Sequence, residues 1–122
     1  MKLFICAMNT VLLGIPADQT RQIIPISRIH ETESEGAFIS LPNLFQLKEI
    51  SAPHGIVLKT EKPLKTVLLC PKIENELEIS EEKIHLLPEA LGKMREYFSG
   101  AYFFNDNLIL ILDPVKLMEN MG

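Results

Sequence analysis

The apolar residues of this chain arrive in short bursts, and that pattern rules out most architectures before any motif is considered. Leu3–Met8, Val11–Ile15, Ile56–Leu58, Leu64–Cys70 and Leu108–Leu112 are each too short for a core helix, and each is bounded by turn-forming or charged residues. Runs of this kind, with turn signals every ~8–12 residues, are strands of an all-β barrel or sandwich rather than pieces of a helical bundle. Asn9-Thr10 separates the first two runs as a hairpin or a bend, and the charged turn 59–63 joins the next pair.

Other segments fit the same scheme. Ala37–Leu47 starts as a strand and turns after Pro42, and Ile73–Ile79 sets Ile73, Leu77 and Ile79 among Glu74, Glu76 and Glu78, where the alternation over Glu76–Ile79 fits a half-buried strand with a helix as the competitor. The clearest hairpin has arms Ala101–Phe104 and Leu108–Leu112 around Asn105-Asp106-Asn107, whose side chains tolerate left-handed backbone. Helical signals are few. Ser80 resembles a cap for a helix that Pro88 confines to about two turns, and Leu91–Phe98 reads as a short helix ended by Gly100. Asp113-Pro114 opens a terminal helix, with Asp113 as cap and Pro114 where its missing N–H costs nothing. The expected fold class is therefore all-β, mainly strand with short helices. With 122 residues, no repeat and no long linker, the expectation is a single domain over residues 1–122.

Several function classes fall away. A net charge of −4 with scattered bases argues against nucleic acid, which needs a basic stripe to displace counterions. Lys2 followed by an apolar stretch imitates a signal peptide, yet the single charge and the Asn9-Thr10 interruption favour a strand, and no run is long enough to insert into a membrane. Cys6 and Cys70 lie in apolar runs and read as two inert buried thiols, which would form a disulfide only if their strands were neighbours. His30, His54 and His85 lack metal-ligand spacing, and His30-Glu31 sits in a polar loop where a solvated histidine is the ordinary reading. No phosphate loop, nucleophile elbow or zinc-protease motif occurs, so neither a cofactor nor catalysis is expected.

Taken in order, the segments resemble the CheW family of chemotaxis coupling proteins. Phe4–Met8, Gly14-Ile15-Pro16 and Gln22-Ile23-Ile24-Pro25 are similar to its opening strands and "V-x-E-I" element, with Gln22 in place of Glu. Ala37–Leu41 with Leu44-Phe45 resembles "P-V-I-D-L", with Ser40 in place of Asp, and 56–84 follows the central stretch, where Pro71 replaces an Asp. Tyr97-Phe98-Ser99-Gly100, Leu108–Asp113 and Lys116-Leu117-Met118 match the closing "Y-x-x-G…L-I-x-I-L-D…K-L-L", the most specific likeness.

The resemblance implies two small five-stranded β-barrels, one of them shortened here, and a non-enzymatic cytoplasmic adaptor between chemoreceptors and a CheA-type histidine kinase. The partners implied are the kinase's regulatory domain and the receptor's cytoplasmic tip, and no cofactor is implied. Thr20, Gln22 and Ile23 match the receptor-facing element, with Ile23 the apolar contact or, alternatively, part of a buried strand. Between Arg28 and Gly36 the family carries a strand with "G-V-x-N-L-R-G", of which only 29–35 remain. The coupling arginine's nearest counterpart is Thr32, flanked by Glu31, Glu33 and Glu35. A stand-alone regulator that has lost receptor coupling is the alternative, with a small-ligand protein or enzyme behind it.

Overall fold

The computed structural model describes residues 1–8, 11–25, 27, 36–47, 49–59 and 65–121. In chain order the elements are β1 (Lys2–Met8), β2 (Val11–Pro16), β3 (Thr20–Pro25), β4 (Gly36–Ser40), α1 (Leu41–Leu44), β5 (His54–Leu58), β6 (Lys65–Cys70), β7 (Ile73–Glu78), β8 (Phe98–Phe104), β9 (Asn107–Leu112) and α2 (Pro114–Met121). They form two compact units, one of residues 1–17 with 74–122, the other of 18–73.

The first unit is a five-stranded sheet ordered β7-β1-β2-β9-β8. Its hairpins β1–β2 and β8–β9 are antiparallel, and β2 joins β9 in parallel at Leu12↔Ile109, Leu13↔Leu110 and Gly14↔Ile111. Adjacent strands with buried residues on both faces explain the unbroken apolar runs, because a strand covered on both sides has no reason to alternate. One face gathers Leu3, Ile5, Ile79, Ile109 and Ile111, with half-buried Leu12, Leu77 and Tyr102 against them. Burying each such side chain contributes roughly 1.5–3 kcal/mol. Gly14 lies under this cluster because a Cβ there would sit 2.8 Å from Leu3 Cδ1 and 3.1 Å from Ile109 Cγ2.

The second unit is a four-stranded sheet ordered β3-β5-β6-β4, with β3–β5 and β5–β6 antiparallel and β4–β6 parallel. Ile24, Val57, Val67 and Leu69 pack on one face. Ile56 and Leu68, paired across β5 and β6, are fully buried on the other. Among the described residues, then, the expected pair of strand-rich halves is present, one of them a strand short. Among the described residues neither is closed into a barrel by hydrogen bonds between its edge strands.

Several sequence expectations meet their physical tests here. Asn105 and Asp106 carry φ of 49° and 63°, so the β8–β9 hairpin closes on a two-residue left-handed turn, and Asn107 Nδ2 donates to Asn105 O at 3.2 Å. Asp113 Oδ1 accepts from the amides of Val115 (3.1 Å) and Lys116 (3.2 Å), capping α2. The expected turn near Pro42 is the single helical turn α1, and Ser40, not expected as a cap, accepts from the Asn43 amide at 3.3 Å.

Other expectations are corrected. Residues 81–83 make only one 3₁₀ turn, and Ser80 gives no side-chain cap bond. Glu89–Tyr97 is two 3₁₀ turns broken at Gly92 (φ 57°, ψ −129°), not an α-helix. Gly100 does not end a helix. It lies inside β8, just past a bulge between Phe98 and Gly100, where His85 forms a two-bond bridge to Ala101. A Cβ at Gly100 would collide with Ile84 Cγ2, so the glycine lets a crossing segment lie flat on the strand.

Candidate docking surfaces

The residues matched to a receptor-facing element all fall on β3, an edge strand. Its register runs Thr20↔Leu58, then Gln22↔Val57, Ile23↔Ile56 and Ile24↔Gly55, with a shift between Thr20 and Gln22 that leaves Arg21 as an extra, exposed residue. Partners in register share a face. The bulge therefore puts Thr20 and Ile23 on the face of Ile56 and Leu58, and Gln22 with Ile24 on the other. Without it Thr20 and Gln22 would have pointed the same way. Ile24 is buried, Gln22 exposed and Ile23 half-buried. The bulge, exposed Arg21 and Pro25 are features that keep an edge from indiscriminate pairing. Thr32 lies outside the described residues.

A second surface escaped the sequence reading. Leu86, Phe103 and Phe104 are 93%, 59% and 39% exposed, the first beside β8 and the others at its end. His85 meets Phe103 edge to face, with centroids 5.4 Å apart and planes at 75°. A signal was available: Tyr102-Phe103-Phe104 puts aromatics at consecutive strand positions, and consecutive residues cannot both face one core.

The remaining candidates for chemistry do not converge. Among the described residues no three His, Cys, Asp or Glu side chains could hold a metal ion. Cys6 and Cys70 are buried and form no disulfide, Cys6 in the five-stranded sheet and Cys70 in the four-stranded one. The carboxylates of β7 form a wet outer face, where Glu76 pairs with Lys2 at 2.8 Å and Glu78 with the Met1 amino group at 3.1 Å. The hydrogen bond and charge of Glu76 raise the Lys2 pKa above its usual 10.5. No described helix is long and apolar enough to cross a membrane.

A family model, the CheW-like domain, matches residues 2–121. The chain belongs to this family. The fold agrees: a crystal structure of the scaffolding protein TtCheW from Thermoanaerobacter tengcongensis superposes with a TM-score of 0.74 at 16% identity, over 93% of this chain and 84% of that one. A search of curated proteins gives no match. Membership in the CheW-like family assigns the chain to a non-enzymatic class of chemotaxis scaffolds, as its segments implied. It also fits the mainly β architecture.

Proposed function

We propose that this CheW-like domain is a cytoplasmic adaptor that docks on the regulatory domain of a CheA-type histidine kinase and couples poorly to chemoreceptor tips. The observation that carries the reading is the unequal pair of sheets, five strands against four among the described residues, in a sequence where only 29–35 stand in for the family's arginine-bearing segment. An adaptor needs two recognition surfaces, and here one is built in full while the other is missing its cation. Where that arginine would dock on an acidic receptor, the sequence offers Glu31, Thr32, Glu33 and Glu35. Exchanging a cation for carboxylates removes an attraction and adds repulsion, and such swaps across an interface cost about 2–5 kcal/mol. That corresponds to a loss of receptor affinity of about thirtyfold to several thousandfold. Ile23, half-buried on the β3 edge, supplies the remaining apolar contact.

The test is to titrate the kinase regulatory domain and a receptor cytoplasmic fragment separately by calorimetry. Saturable kinase binding with weak receptor binding is expected, the latter weakened further by Ile23→Asp and less by Ile23→Ala. Tight receptor binding indifferent to both substitutions would refute the placement of the interface. Absence of binding to either partner would leave the stand-alone regulator as the better reading.

A further inference from the structure

Basic residues are a minority in this chain, 12 against 16 acidic ones, yet three of them line a single hollow. The hollow, of about 680 Å³, lies in the five-stranded unit and is lined by Leu87, Gly92, Lys93, Arg95, Glu96 and Lys116. Gly92, Lys93 and Arg95 belong to the 3₁₀ turns of 89–97, and Lys116 to the first turn of α2. Lys93, Arg95 and Lys116 are exposed, and Leu87 is half-buried at the edge.

We propose that this hollow docks an extended acidic segment of a partner protein. Gly92 is the local device. Its φ of 57° kinks the two turns apart, a conformation that L residues rarely adopt, and the space where its Cβ would stand has no atom within 4 Å. The main chain at Gly92 is thus bare where another main chain can approach closely, with Lys93 and Arg95 next to it in sequence and Leu87 as an apolar part of the lining. Volume and lining select the occupant. The space lies within the ~300–1,000 Å³ range of ligand pockets and suits a few residues of peptide. Glu96 interrupts the positive field, which penalises a compact dianion such as phosphate more than carboxylates spaced along a chain. A net charge of −4 repels nucleic acid and anionic membrane over the rest of the surface, while a short acidic peptide meets only the local field. Exposed charges of this kind set orientation and association rate more than affinity.

This inference rests on the adaptor reading only in that the occupant is a protein segment. The probe is a hexaglutamate peptide, titrated into the ¹⁵N-labelled full chain at low salt, with hexalysine, inorganic phosphate and anionic vesicles alongside. Saturable amide shifts confined to 87–96 and the start of α2 are expected, weakening about threefold or more between low and physiological salt. Lys93→Glu with Arg95→Glu should weaken binding about tenfold or more, while the charge-matched exposed pair Lys72→Glu with Lys83→Glu changes it less than about threefold. Shifts elsewhere, equal losses in both variant pairs, or tighter binding of phosphate or vesicles than of the peptide would each overturn the proposal. A failed peptide titration leaves the kinase titration standing, so the two readings fail separately.

Discussion

The two sheets share a plan, in which antiparallel pairs join a single parallel pairing, but their edges and ends are finished differently. In the five-stranded sheet β7 carries three glutamates on its wet face, two of them paired with cations, and His85 bridges part of the opposite edge. The hairpin turn and the α2 cap satisfy their own backbone groups. In the four-stranded sheet the β3 edge carries a bulge and only half-buries Ile23. This divides the sheets: the ends of the first are tied by more local bonds than the β3 edge of the second, and the two should respond differently to the loss of a core side chain.

The largest expected effect tests that division directly. Ile111→Ala removes a fully buried side chain from the larger cluster and should cost about 2–5 kcal/mol in urea unfolding. Ile56→Ala, the same side chain equally buried in the four-stranded sheet, should cost less, near the lower end of that range. Equal costs would dissolve the contrast between the sheets. Gly100→Ala comes next, since Ile84 must move or β8 must lose the His85 bridge, a strain of about 1–3 kcal/mol read as a lowered melting temperature. A neutral result would mean that the crossing segment is loosely held.

Removing the α2 cap by Asp113→Ala should cost about 1 kcal/mol by the same melt. The smallest effect is a pH dependence at the β7 edge. Lys2 is raised above 10.5 by its bond to Glu76 and by that residue's charge, so folding favours its protonated form. The contribution is complete below 10.5 and fades as pH climbs through the higher folded value. Melts of the native chain and Glu76→Gln should therefore differ slightly at neutral pH and converge at strongly alkaline pH. A gap that persists there would assign the effect to packing.

Which parts were legible in the sequence follows from how local their causes are. The turn at Asn105-Asp106 and the cap at Asp113 are set by residues within three positions, and both could be read directly. Gly100 could not be, because its reason is Ile84 arriving from another segment, and a glycine near a short helix imitates a helix end. The turns at 89–97 were mistaken for a helix because Leu91, Met94 and Phe98 have helical spacing, while the φ of Gly92 breaks it. At the candidate site, chain order pointed to β3, but the faces of Thr20, Gln22 and Ile23 depend on a bulge that only pairing with β5 reveals. The aromatic patch at 103–104 lay in a hairpin whose obvious role was structural.

The parallel pairing of β2 with β9 has a consequence for how the protein is made. A ribosome delivers β2 before any of the four-stranded sheet, but its partner Ile109 emerges nearly a hundred residues later, a wait of about 5–20 s at ordinary elongation rates. Meanwhile all of 18–73 has been delivered as one continuous stretch and holds every strand of its own sheet. The β1–β2 hairpin, made before that sheet, is thus completed after it, with β1 waiting for β7 and β2 for β9.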